Sequence, residues 1–212
     1  MNPLDTFREF GHADDPILVV MLVCSVLIVA IALERWLNVR RMRGALRRVD
    51  ERVVESARQG NLEEARRLCD NVPSPVREVF ATGLDRALGR VRGVPRMAMQ
   101  REQKRAVAQM RAVVWTLGSA GALMPFVGLL GTVLGVMSSF HAMGATGGGG
   151  FQVVSAGISA ALIATAVGLF VALEAVVFFN ILQNNIAGVS RELGLLVDET
   201  LELIETHAKR AS

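Results

Sequence analysis

Ion chemistry in this chain would have to rest on two threonines, Thr132 and Thr165, and one carboxylate, Glu174, all set in long apolar runs. A threonine hydroxyl donates and accepts hydrogen bonds but does not titrate. It suits a ring that hydrates or positions an acid supplied from elsewhere. Glu174 can titrate, and a carboxylate inside a membrane span is costly enough that it faces a bundle interior, a partner or water. It follows Thr165 by nine residues, which at about 100° per residue places it on the opposite helical face. Three roles stay open for it: a structural ion pair or boundary carboxylate, a station on a proton path, or a contact with a partner subunit. The three histidines, His12, His141 and His207, have no metal-ligand spacing. Cys24 lies in an apolar run and Cys69 in a charged one, a pattern of packing residues and not of a redox or metal motif. No metal, no cofactor and no enzymatic centre is expected.

The elements that must position these groups begin with a hairpin. From Ala112 to Leu173 there is no Asp, Glu, Lys or Arg, although 20% of the chain is charged. Two apolar runs flank a glycine-rich turn at Gly144 to Gly150, and each reaches the roughly 20 residues that cross a bilayer as a helix. Around the threonines the side chains are small: Gly128, Gly131 and Gly135 on the first run, Ala161, Ala164, Ala166 and Gly168 on the second. Such residues, three and four apart, let a second backbone approach closely. A third apolar run, Ile17 to Leu33, precedes Glu34 and Arg35; Trp36 at headgroup level and a snorkelling Arg35 extend it to about Asn38.

Hydrophobic residues make up 51% of the chain and the mean hydropathy is +0.39, values of an integral membrane protein. Tyrosine is absent and other aromatics are few, so base stacking on nucleic acid has little to work with. Residues 34–111 carry 19 basic against ten acidic groups, while residues 1–16 are net acidic. The excess of Arg and Lys beside membrane ends assigns 34–111 to the cytoplasm and the amino-terminus to the outside. An acidic start and an ending in Glu34-Arg35-Trp36 argue against a cleavable signal peptide.

The expected organisation is an amino-terminal arm over 1–16, with Leu4, Phe7 and Phe10 at an interface, then a span over 17–38. A cytoplasmic helical segment over 39–111 follows, then spans over 112–143 and 151–180 joined by an outer turn at 144–150, and a cytoplasmic helix over 181–212. Within 39–111, Met42, Leu46, Val49, Val53 and Ala57 keep a helical period to a break at Gly60-Asn61. Short helices follow at Leu62 to Cys69 and at Val76 to Leu88, ended by the glycines and proline from Gly89 to Pro95. From Met97 one helix is expected to run through Arg111 into the membrane without interruption. After the hairpin, Ile186, Val189, Leu193, Leu196, Val197, Thr200, Leu201 and Ile204 form an amphipathic stripe. Three spans without an inverted repeat disfavour a secondary transporter working alone.

The second span, Ala122-Leu-Met-Pro125-Phe-Val-Gly128-Leu-Leu-Gly131-Thr132-Val-Leu-Gly135, and the third, Gly157-Ile-Ser-Ala160-Ala161-Leu-Ile-Ala164-Thr165-Ala-Val-Gly168, closing in Phe179-Asn180, resemble the ExbB/TolQ branch of the MotA/TolQ/ExbB proton-channel family. The resemblance implies an all-α inner-membrane protein of three spans that assembles as a homopentamer. Its ring would surround two copies of an ExbD/TolR-like single-span protein whose membrane aspartate carries protons, with work passed to an envelope-spanning partner. It implies pore-facing roles for Thr132 and Thr165 and close packing at Pro125, Gly128, Gly131 and Gly135. Two departures stand out: Ala160 occupies a position where many family members carry glutamate, and Glu174 one where they often carry proline. They allow a specialised gliding-motility or polymer-transport branch, and a non-conducting scaffold remains the alternative outside the motor class.

Overall fold

The computed structural model describes residues 16–146 and 150–211, all helix and short connections. The amino-terminal arm, with His12, and the centre of the glycine-rich turn lie outside the described residues. Helix α1 spans Pro16–Arg48, and the helical path continues through a π-helical stretch, Val49–Val54, and a last turn α2, Glu55–Arg58. Helices α3, Leu62–Leu68, α4, Val76–Ala87, and α5, Pro95–Arg111, follow. Two long helices complete the chain: α6, Val114–Thr146, and α7, Gly150–Ala211. Among the described residues, three helical stretches are long and apolar enough to cross a membrane, those containing α1, α6 and the first half of α7.

The chain forms two compact units. Among the described residues, the membrane unit comprises those up to Leu33 together with those of Trp115–Asn180, and the polar unit comprises Glu34–Val114 and those from Ile181 onward. Each has its own composition and its own kind of packing. In the polar unit the apolar stripes meet one another. Met42, Leu46, Val49, Val53 and Ala57 are all buried, as are Ile186, Val189, Leu193, Leu196, Val197, Thr200, Leu201 and Ile204. The π-helical stretch widens the first stripe so that Val53 and Val54 are buried side by side. Polar residues flank these stripes: Arg43 donates to Asn185 Oδ1 at 2.9 Å, and Arg58 Nε donates to Glu199 at 2.9 Å.

Local chemistry explains where the short helices begin and end. Gly60 and Gly89 take φ of 82° and 72°, left-handed values that glycine adopts without a Cβ penalty. Asn61 then caps α3, its Oδ1 accepting from Glu64 N–H at 3.1 Å. Pro95 serves as the first residue of α5, where a missing N–H costs nothing. One expectation is corrected. The helix entering the second span is divided by a two-residue turn at Ala112–Val113, within which Ala112 keeps helical dihedrals of −53° and −35°. Neither Gly nor Pro marks the place; the interruption falls where the chain passes from one unit to the other.

Arg66 knits the polar unit together. Its Nε donates to Asp85 at 2.7 Å and its Nη1 to Asp70 at 2.9 Å, and the bond to Asp85 above all raises the guanidinium further above its ordinary range. Beside it Cys69 is fully buried, with its thiol against the Ala65 carbonyl, and burial pushes that thiol up to about 12. Only thiolate is nucleophilic. In a Cys24→Ala background, Cys69 should therefore resist alkylation at pH 8 in the folded protein and react fully in denaturant; rapid modification under native conditions would contradict this packing.

Candidate functional site

In the membrane unit the small residues of α6 face α7 in a steady antiparallel register. Close approaches pair Gly118 with Phe179, Gly121 with Val176, Gly128 with Thr165 and Gly168, Gly131 with Ala164, Gly135 with Ala161, and Ser139 with Gly157. As the number on α6 rises, its partner on α7 falls by nearly the same amount, the signature of two antiparallel helices in continuous contact. A methyl group added at Gly168 would stand 2.9 Å from Gly128 Cα and 2.9 Å from the Met124 carbonyl oxygen; one added at Gly128 would stand 3.1 Å from Thr165 Cα. The two backbones meet most closely here, because glycine removes the only atoms that would hold them apart.

That approach gives Thr165 its partner. Its hydroxyl donates to the Gly128 carbonyl across the helix pair at 2.9 Å. Thr132 donates instead within its own helix, to Leu129 at 2.7 Å. The two lie at similar depth along the pair, since Gly131 meets Ala164 and Gly128 meets Thr165. With each hydroxyl hydrogen engaged on a carbonyl, what remains is a pair of acceptor oxygens. They can receive a hydrogen bond from water or from a protonated acid. Pro125 lies inside α6, where it cannot donate to the Gly121 carbonyl. Ala161 and Ala164 are buried against the α6 glycines, and Ala160 is half-buried, with no acid at that point.

Glu174 is separated from Thr165 as its spacing requires. One carboxylate oxygen accepts a 2.8 Å hydrogen bond from Ser25 Oγ on α1, while Thr165 turns to α6. Ile17 on α1 reaches the level of Gly131, so α1 runs parallel to α7. Ser25, the partner of Glu174, is a residue that sequence reasoning missed. Its signal was slight but present: it is the only hydroxyl in the run Ile17 to Leu33. Ser139, also passed over, is buried with its hydroxyl donating to the Gly135 carbonyl at 2.7 Å. His141 is exposed towards the other end of α6 and His207 is exposed on the final turns of α7. No group of three metal-ligating side chains is present among the described residues.

The three apolar helices and their glycine-mediated contact define a multi-pass membrane protein with hydroxyls, not an acid, at its closest helix crossing. Residues 71–194 match the model of the MotA/TolQ/ExbB proton channel family, and the chain belongs to that family. It is a multi-pass protein of the inner membrane, in a family of channel proteins and not of enzymes. Over 111 residues it is 33% identical to the Tol-Pal system protein TolQ of Haemophilus influenzae, covering 52% of this chain and 49% of the relative. Over 87 residues it is 44% identical to the biopolymer transport protein ExbB of Salmonella typhimurium, covering 41% of this chain and 36% of the relative. A third relative, TolQ of Pseudomonas aeruginosa, is 40% identical over 85 residues, 40% of this chain and 35% of that one. The matches thus span half or less of these relatives' lengths.

Proposed function

We propose that the chain is an ExbB/TolQ-like subunit of a motor, or stator, driven by the proton-motive force in the inner membrane. Five copies form a ring around two transmembrane helices of an ExbD/TolR-like partner, with the amino-terminus and the 144–150 turn outside and residues 39–111 and 181–212 in the cytoplasm. The partner's membrane acid carries the protons, and its movement within the ring passes work to the envelope. Thr132 and Thr165 line the path and offer acceptor oxygens to that acid when it is protonated. The observation that carries the reading is the Thr165 hydroxyl bonded to the Gly128 carbonyl at the closest crossing of α6 and α7, within the family-matched segment. Ala160 and Glu174 favour a specialised gliding-motility or polymer-transport branch over the namesake systems.

Thr165→Val keeps shape but removes the hydroxyl. With the partner co-expressed, proton flux into liposomes should fall about tenfold, equivalent to about 1.4 kcal/mol at the limiting step, while the complex keeps its size on chromatography. Thr132→Val should act in the same direction, and Thr165→Ser should restore flux. Undiminished flux in both valine variants would remove the threonines from the path, and a complex that conducts nothing at all would leave the scaffold reading. Counting partner chains in the complex purified from native membrane checks the proposed five-to-two assembly.

A further inference from the structure

Glu174 is the only Asp, Glu, Lys or Arg among the described residues of the membrane unit. Within the described residues of that unit, the groups that could compensate its charge can therefore be named. From α1, the segment Ile17 to Leu33 presents Cys24 as its only titratable side chain; from α6, the segment from Trp115 presents His141, far from Glu174 in the antiparallel register; the first half of α7 adds nothing. A second copy of the same unit brings the same described residues and hence no cation. Among the described residues, the hydrogen bond to the carboxylate comes from neutral Ser25, at 2.8 Å. Beside Glu174 on its own helix, Phe170, Leu173, Val177 and Phe178 line a cleft with a wholly apolar surface.

An ionised carboxylate set beside an apolar cleft within a membrane span is costly, and here one hydroxyl faces it. We infer that Glu174 and Ser25 form a proton-binding site belonging to this chain itself, on the α1 side of α7 and apart from the threonine pair. Two oxygen-bearing side chains suffice to hold a proton but not to replace the hydration shell of a metal cation, so the site selects H⁺ over Na⁺. In the protonated state the carboxyl still accepts from Ser25 through its carbonyl oxygen, and the apolar cleft faces a neutral group. Loss of the proton leaves a bare charge at the α1–α7 contact, which makes that contact sensitive to proton occupancy. The site lies about 13 Å along the helix axis from Thr165. It extends the proton-driven reading to a residue this subunit carries, yet it stands on the carboxyl alone.

Infrared difference spectroscopy of the purified complex in lipid, wild type against Glu174→Gln, tests it without requiring transport. The expected result is a protonated-carboxyl carbonyl band that is missing in Glu174→Gln, disappears reversibly as pH is raised, and moves to higher frequency in Ser25→Ala as the carbonyl loses its donor. Sodium at constant pH should leave the band unchanged. A carboxylate band alone at every pH where the complex is folded would overturn the inference, as would loss of the protonated band on adding sodium. Thr165→Val should retain the band, so a failure of the pore reading shows in flux and a failure of this site shows in the spectrum.

Discussion

Gly168→Leu should prevent recovery of a folded membrane unit, and Gly168→Ala should be enough to destabilise it. Most core enlargements are tolerated in part because a neighbouring side chain rotates away; such overpacking typically costs about 1–3 kcal/mol. At Gly168 the neighbours are the Gly128 Cα and amide nitrogen and the Met124 carbonyl oxygen, the first and last at 2.9 Å from an added Cβ. These are backbone atoms, so α6 and α7 must separate as whole helices. Separation also breaks the Thr165 to Gly128 bond, because that bond exists only while the backbones touch. Alanine should cost about 1–3 kcal/mol, and leucine should remove the complex from the soluble detergent fraction. Gly144→Ala, where an added Cβ meets nothing within 4 Å, is the control. Thermal unfolding in detergent with size-exclusion chromatography reads all three, and equal behaviour of Gly168→Ala and Gly144→Ala would contradict the packing described.

Phe80→Ala should have the second large effect, confined to the polar unit. Phe80 is fully buried on α4 among the buried set that includes Val76, Val79 and Leu84. Truncating a buried phenylalanine typically costs about 3–5 kcal/mol, from lost transfer energy and the cavity left behind. Since a stable domain holds only about 5–15 kcal/mol, the helices from α3 to α5 should become open to limited proteolysis at temperatures where wild type resists. Leu195→Ala removes a side chain that is 72% exposed and should change proteolysis little. The membrane unit should remain protected in both variants. Resistance of Phe80→Ala equal to that of Leu195→Ala would place Phe80 outside a cooperative core.

The exposed apolar side chains of the membrane unit need a different interpretation from Leu195. Leu22, Phe126, Leu162 and Phe170 are each more than 60% exposed, whereas the polar unit buries most of its large apolar residues and leaves a few, Leu195 and Met97 among them, outside. A membrane helix does not need to hide leucine from lipid. Its packing is decided instead by where two backbones can approach, which is why Gly128, Gly168 and their neighbours matter more to this unit than its leucines do.

Much of the architecture is legible in the sequence. The buried faces of α1 and of the second half of α7 are local facts, readable from apolar period, and the breaks at Gly60 and Gly89 from glycine. The long uncharged stretch specifies a hairpin, and the antiparallel α6–α7 contact follows the small residues of both runs. The π-helical stretch and the interruption at Ala112–Val113 were not legible, since neither has a local breaker. Most of the threonine site was visible as residue types, but not its bonding, which depends on which carbonyl a close approach exposes.

By itself, then, the order of residues determined the membrane class, the three spans and the small-residue faces, because helix period, hydropathy and glycine content act over a few turns. The register between the helices came only from the tertiary structure. Several alignments of two glycine-bearing faces satisfy the same sequence pattern, and the one adopted turns Thr165 to Gly128 while leaving Glu174 to Ser25. A hydrogen bond between residues 149 positions apart has no local signal. It exists because three apolar helices pack with their few polar groups at matching depths.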